Sequence, residues 1–293
     1  MTSQAAEGTQ QAGEPQAIVK PPSYRPHFVA QITNAAAALG AEATWLSGDY
    51  IAALRRGQRT AMIVGYHFPL SNAAACALAD DKSATAEVLG SLGVSHVPHT
   101  LIRFDGDDTL AEEISRVADL FGFPLVIKPH RGTGGQGVTR ADSPEAMVAA
   151  LTCLRVRYEA LAASPWVDIA SEYRVIVLDD HAELIFEKVR AVPDGEWRNN
   201  LKYGSVPVIQ AGNRLCGALS DLARQAAGAL GLRFASVDIV ASRAGLAVLE
   251  ANSGVCLERF SAFSPGHFDR AGAVYAHALR ACLAGPMQPA GHA

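Results

Sequence analysis

Several things are scarce in this chain of 293 residues, and each scarcity narrows its class. The five cysteines (Cys76, Cys153, Cys216, Cys256 and Cys282) are scattered, with no CxxC spacing. That argues against a disulfide framework and a thiolate metal site, and for reduced core thiols. No apolar run reaches bilayer-spanning length, and the start lacks the basic-then-apolar layout of a signal peptide. A cytoplasmic chain with no membrane partner is the expectation. Basic charge is not in excess: the net charge is −4 and the pI about 6.1, against bulk nucleic-acid binding. There is no internal repeat. Apolar residues are plentiful at 49%, enough for a sizeable core in one large or two small lobes.

The most informative residues lie near the C-terminus. Ser236 to Val240 and Val248 to Asn252 each read as a buried strand, with apolar residues bracketing polar ones. A carboxylate inside such a strand is costly unless paired. Glu250 and Asn252 are two apart and share a face. Ser242 to Leu246 reads as the turn, with Gly245 suited to positive φ. If Ala241 pairs with Ala247, Asp238 falls opposite Glu250, and two carboxylates and an amide oxygen converge. Facing carboxylates repel unless a cation or proton intervenes, and an all-oxygen set suits Mg²⁺. An exposed strand face with a salt bridge is the plain alternative, which spacing alone leaves open.

A second feature weighs against it. Phe123 to Pro129 is an apolar strand ending in Lys128, followed by a segment with four glycines in six residues, Gly132 to Gly137. Gly132, Gly134 and Gly137 match GxGxxG, a weak signal alone. The dinucleotide fingerprint needs a helix at once, yet Val138 to Arg140 looks extended and the helix begins at Ser143-Pro144-Glu145. No Lys-Ser/Thr follows the glycines, which excludes a P-loop. A strand, glycine hairpin and strand remain: a flap whose N–H groups can cover phosphates, with Lys128 as a point charge.

Taken with Asp81-Lys82, Glu172 to Val175, Glu187 to Arg190, Arg198 to Leu201, Val237 to Ile239 and Glu250 to Gly254, in this order, the chain from about Ala79 to Phe260 resembles the ATP-grasp superfamily of carboxylate–amine ligases. It looks most like the branch of the enzyme that adds glutamate to a ribosomal protein. The resemblance implies an α/β (α+β) ATP-grasp fold, two lobes holding ATP between them. It implies that Lys82 and Lys128 contact ATP phosphates and that the backbone of Gly134, Gly135, Gln136 and Gly137 covers them. Pro165, Trp166, Val167 and Asp168 would be the adenine hinge, with Asp168 at the ribose. Asp238, Glu250 and Asn252 would hold one or two Mg²⁺ ions, with Mn²⁺ as a substitute. Arg174, Lys188, Arg198 and Asn200 would bind the γ-phosphate, the substrate carboxylate and the acyl-phosphate. The partners implied are a small carboxylate and an amine. An intramolecular cyclo-ligase and a non-catalytic nucleotide-binding protein are the alternatives, and a two-fold homodimer is the prior for assembly.

The expected organisation is a disordered tail over 1–20, a reduced pre-ATP-grasp α/β domain over 21–80, an ATP-grasp domain over 81–285 and a tail over 286–293. Within the grasp domain the flap-bearing lobe covers about 97–168 and the catalytic lobe about 169–285. In the reduced domain a helix is expected from about His27 to Leu39, capped by Gly40, then strands at Ala43 to Leu46 and Thr60 to Tyr66 with Asp49 to Arg56 helical between them. Further helices are expected at Asp108 to Gly122, Asp221 to Leu230 and Phe268 to Leu283. Asp179-Asp180 reads as a hairpin turn. His96 and His99 flank Pro98 without further zinc ligands in view. His67 follows a strand and is a substrate candidate beside an ordinary loop histidine. Arg190 and Cys256 are further substrate candidates; Cys256 lies just past the proposed metal strand.

Overall fold

A computed structural model describes residues 25–104, 110–132, 134–191, 197–212 and 214–284. The expected tails, and the expected helix start at Asp108, lie outside these residues. The described chain begins with α1 (Pro26–Ala38), then β1 (Glu42–Leu46), β2 (Ile51–Arg56) and β3 (Arg59–Val64), an antiparallel meander. Proline sits at the first turn of α1, where its missing N–H costs nothing. The expected helix over Asp49 to Arg56 is instead β2. Its residues alternate half-buried Ile51 and Ala53 with buried Ala52 and Leu54, a period of two, and pairing on both sides overrides the helix propensity of Ala and Leu. The N-terminal unit is therefore an antiparallel sheet, not strand–helix–strand.

Next come α2 (Ala73–Asp80) and α3 (Lys82–Ser91). Asn72 caps the first through Ala75 N–H, and Asp81 caps the second through Ser83 and Ala84 N–H. A four-stranded antiparallel sheet follows, from β4 (Thr100–Arg103), α4 (Leu110–Phe121), β5 (Leu125–Pro129), β6 (Thr139–Ala141), α5 (Pro144–Leu154) and β7 (Ala160–Pro165), in strand order β4-β7-β5-β6. Ser143 caps α5 as expected. Leu125, Ile127, Leu161 and Ala163 face α4 and α5 in one core. Alternation then turns Val126, Lys128, Ala162 and Ser164 to the other face.

The third sheet is built from β8 (Ser171–Leu178), β9 (His181–Val189), β10 (Val206–Ile209), then, after α6 (Arg214–Ala229), β11 (Phe234–Ser242) and β12 (Gly245–Asn252); its order is β10-β9-β8-β11-β12. The chain closes with α7 (Glu258–Ser261) and α8 (Pro265–Ala284). The α6 helix starts earlier than expected. Asp179, at φ 52°, makes the expected turn between β8 and β9. One face of this sheet, with Val175, Val177, Val237 and Ile239, packs on α2, α3 and α6. The other face changes character along its length. At one end Leu178, Ile176, Leu184, Phe186 and Phe234 pack against α1, β2, β3 and α8. At the other end the same face carries Ser236, Arg174, Lys188, Glu172, Asp238, Glu250 and Asn252 by strict alternation. The core thus ends where the charges begin.

Candidate active site

Asp238 does face Glu250, by a route the sequence does not reveal. The hairpin pairs Ala241 with Leu246, one residue away from the expected Ala247, and a bulge between Ile239 and Asp238 leaves Leu249 unpaired. The extra residue restores the opposition of Asp238 to Glu250 and of Ser236 to Asn252.

Asp238 is 3% exposed and already compensated. Arg174 donates to it from Nε and Nη2, both at 2.7 Å, and Lys188 Nζ lies 3.0 Å away. Lys188 also donates to Glu172 at 2.6 Å. Burial alone would raise the Asp238 carboxyl, but Arg174 and Lys188 outweigh it and hold the group down to about 2. Burial, with Asp238 nearby, keeps Glu172 raised despite Lys188. Lys188 Nζ gives two of its three N–H donors to this network, and Arg174 Nη1 makes no bond among the described residues; both side chains border the cavity.

Glu250 stands apart from that network, 3.5 Å from Lys82 Nζ and a quarter exposed. Lys82 is the first residue of α3; its N–H donates to the His130 carbonyl and its Nζ to the Gly132 carbonyl at 2.6 Å. Lys128 is buried on β5. Burial lowers it to about 8, with Glu250 opposing and Lys82 reinforcing. The two lysines and the acidic face border one cavity of about 1030 Å³, which the flap, the β7–β8 hinge and the 197–202 loop complete.

Gly132, Gly134, Gly135 and Gly137 all take positive φ, and contact adds to this at two of them: a Cβ would stand 3.3 Å from Tyr203 at Gly135 and 3.1 Å from Pro129 at Gly137. Arg198 bonds the Gly135 carbonyl at 3.1 Å and stacks 4.1 Å from the Tyr203 ring centroid. Asn200 accepts from Lys202 N–H, starting a short 3-10 turn. At the hinge, Trp166 N–H already donates to the Pro124 carbonyl, so it is spent; Val167 and Asp168 border the cavity with it. The Trp166 ring lies between Arg140, at 4.2 Å, and Trp197, at 5.0 Å.

The substrate candidates divide. His67 lines the cavity through pairing with Val64 and Gly254. The strand-end rule that suggested it does not operate in an antiparallel sheet. A Cβ at Gly254 would stand 3.1 Å from the His67 ring, so a larger residue there would push the ring aside. Cys256 is exposed in the cavity beside the Tyr66 hydroxyl, which burial first and then Cys256 push up. Arg190 bonds Asn199 Oδ1 and the Trp197 carbonyl, so it braces the loop bearing Arg198. Sequence reasoning missed Glu172, Trp197, Tyr66 and Arg259 as cavity residues; only Glu172 left a signal, two positions before Arg174 on one strand face.

A nucleotide-sized cavity between two antiparallel sheets, with a glycine flap and two lysines over an acidic strand pair, defines an ATP-grasp ligase, an ATP-dependent enzyme that joins a carboxylate to an amine. Residues 79–268 match the RimK-like ATP-grasp domain, and the chain belongs to that family. It is 30% identical over 235 residues to a probable alpha-L-glutamate ligase of Enterobacter sp., covering 80% of this chain and 72% of that one. To the ribosomal protein bS6–L-glutamate ligase of Escherichia coli it is 30% identical over 194 residues, covering 65% and 61%. Among solved structures, D-alanine–D-alanine ligase from Bacillus anthracis shares the fold with a TM-score of 0.58 at 18% identity, covering 73% of this chain and 69% of that one; the same enzyme complexed with ATP gives 0.56. No helix among the described residues is long and apolar enough to cross a membrane.

Proposed function

We propose that the chain activates a small carboxylate, an amino acid or small acid, as an acyl-phosphate and passes it to an amine, with Asp238, Glu250 and Asn252 as the Mg²⁺-facing group. The observation that supports this best is the shared face: Arg174, Asp238, Glu250 and Asn252 on one sheet, opposite Lys82 and Lys128, around one cavity.

The donor set fits a hard divalent cation. Glu250 and Asn252 border the cavity and supply carboxylate and amide oxygens. Both Asp238 oxygens already accept from Arg174, so it joins a metal only through remaining lone pairs. Among the described residues no three His, Cys, Asp or Glu side chains form a metal cage, in keeping with an ion that takes further ligands from substrate phosphates. Bound there, Mg²⁺ would neutralise charge on the β- and γ-phosphates.

The chain's own residues do the rest. Lys82, Lys128 and the N–H groups of the flap hold the phosphates. The hinge from Pro165 to Asp168 holds adenine and ribose, Val167 and Asp168 supplying what Trp166 N–H cannot. Arg174 Nη1 points its free donor to the γ-phosphate, and the Asp238 carboxylate fixes the guanidinium plane. From the loop, Arg198 neutralises the substrate carboxylate as it attacks the γ-phosphorus, and the Asn200 amide donates to it. The amine then displaces phosphate through a tetrahedral oxyanion facing the same cations. No nucleophile on the protein is needed.

The relatives' names make glutamate the first acid or amine to try. The cavity volume is at the top of the range for small-molecule sites, which favours an intermolecular ligation with two substrates beside the nucleotide over ring closure of one small amino acid. The domain division, the homodimer and the cytoplasmic setting stay with this proposal. Incubation with ATP, Mg²⁺ and a pool of amino acids tests it. ADP and phosphate should appear in step with an amide product; ATP turnover without consumption of an amine would leave a phosphotransferase.

A further inference from the structure

Behind the Lys82–Glu250 pair lies a buried histidine that the reaction above does not use. His99 precedes β4 and is 7% exposed. Its Nδ1 lies 2.8 Å from the Val97 carbonyl. A carbonyl only accepts, so Nδ1 carries the proton and Nε2 is a bare lone pair. That Nε2 is buried and has no hydrogen-bond partner among the described residues. An unmet buried acceptor costs about 1–3 kcal/mol, and ordered water is the usual remedy. A void of about 10 Å³, walled largely by apolar residues such as Leu89 and Val248, is also bordered by His99, His96, Thr85, Lys82 and Glu250; its size is about the space one water needs. Burial first, then Lys128, and further Lys82 and His96, hold the ring well below its ordinary range. His99 is therefore neutral and able to accept.

We infer that His99 is a positioning residue which, through one water in this void, orients the Lys82 ammonium and the Glu250 carboxylate for nucleotide binding. The water accepts from Lys82 Nζ and donates one hydrogen to His99 Nε2 and the other to Glu250, so all its capacity but one lone pair is used. A neutral acceptor suits the place. It fixes the direction of an ammonium without cancelling the charge that the phosphates need, as a carboxylate there would. The inference rests on the assignment of Lys82 to ATP phosphates.

The test uses the full chain, its His99→Leu and His99→Gln variants, calorimetric titration with ATP and Mg²⁺, and a crystal structure of the nucleotide-free wild type that places waters. Gln carries an acceptor where Nε2 stands; Leu fills the space without one. His99→Leu should weaken ATP binding about five- to tenfold, the worth of one hydrogen bond, while His99→Gln stays within about twofold and kcat at saturating ATP is nearly unchanged in both. The wild-type density should show a water bonded to Nε2. A dry void, a Gln variant as weak as the Leu variant, or a Leu variant as tight as wild type overturns the inference. If His99→Leu does not fold, the density and the Gln variant decide: a tenfold loss on Gln overturns it. Wild type that binds no ATP would instead sink the phosphate assignment, while the water at Nε2 is read separately.

Discussion

Asp238→Asn should destroy both stability and turnover, whereas Glu250→Gln should destroy turnover alone. Two facing carboxylates that repel, as the sequence alone suggests, would make Asp238→Asn harmless to the fold. The structure reverses that expectation. Asp238 is buried against Lys188, also buried, and against Arg174, which is 22% exposed toward the cavity, so removing its charge leaves Lys188 with Glu172 alone and strips Arg174 of its partner. Breaking a buried ion pair from one side costs about 3–5 kcal/mol. Proton linkage gives a similar scale. The carboxyl is held from 3.8 down to about 2, which corresponds to about 2 kcal/mol at neutral pH. A depressed folded pKa means this stability is present above the unfolded value and is lost as pH falls from about 4 to about 2. At about 2–4 °C per kcal/mol for a chain near this size, the melting point should drop by roughly 4–20 °C. Glu250 is partly exposed and 3.5 Å from Lys82, a contact worth less than about 1 kcal/mol, so Glu250→Gln should melt near wild type. Phosphate release should fall by roughly 100-fold or more in both. Differential scanning calorimetry and a phosphate assay measure the two effects. Asp238→Asn melting at or above wild type would refute the reasoning about the buried network, whatever its activity.

Lys128, lowered to about 8 by burial, loses its charge as pH rises through that value, so ATP affinity should weaken above pH 8 by up to about tenfold per unit; calorimetry at pH 7 to 9.5 in buffers of differing ionisation enthalpy should show proton uptake on binding, and Lys128→Met should flatten the profile. Trp197→Ala removes the 5.0 Å contact with Trp166, worth about 1 kcal/mol; it should lower kcat more than it weakens ATP binding, because Arg198 and Asn200 sit on its loop, and Trp197→Phe should recover most of the loss. Gly135→Ala places a Cβ 3.3 Å from Tyr203 at a φ of +71°; steady-state kinetics should show kcat/KM for ATP down about tenfold or more, at the cost of positive-φ strain plus the lost flap contact.

Much of the fold was legible where one physical rule dominated. Alternation around Asp238 and Glu250 exposed the β11–β12 strand pair, glycine density after Lys128 exposed the positive-φ loop bordering the cavity, and Ser143-Pro144 marked a helix start. Failures fell where tertiary context decided. Ile51 to Arg56 has helix-forming residues, and only pairing with β1 and β3 makes it a strand. The bulge at Leu249 has no sequence signature, so the facing of Asp238 and Glu250 follows from the sequence only through a register one residue off. Ion-pair partners were harder still. Nothing in Glu172-Tyr173-Arg174 says that Arg174 reaches across to Asp238, or that Lys188 bonds both acids, until strand order is known. Trp197 and His99 left no signal because their meaning is a contact with a distant element.

The most direct measurement follows oxygen through the reaction. The protein is incubated with ATP, Mg²⁺ and a mixture of amino acids labelled with oxygen-18 in their carboxylates, glutamate among them, and the released phosphate is analysed by mass spectrometry. Attack of a carboxylate on the γ-phosphorus, followed by displacement by an amine, predicts phosphate carrying one labelled oxygen for each amide formed. Phosphate released in quantity with no label, beside hydrolysed ATP and no amide, would contradict ligation through an acyl-phosphate.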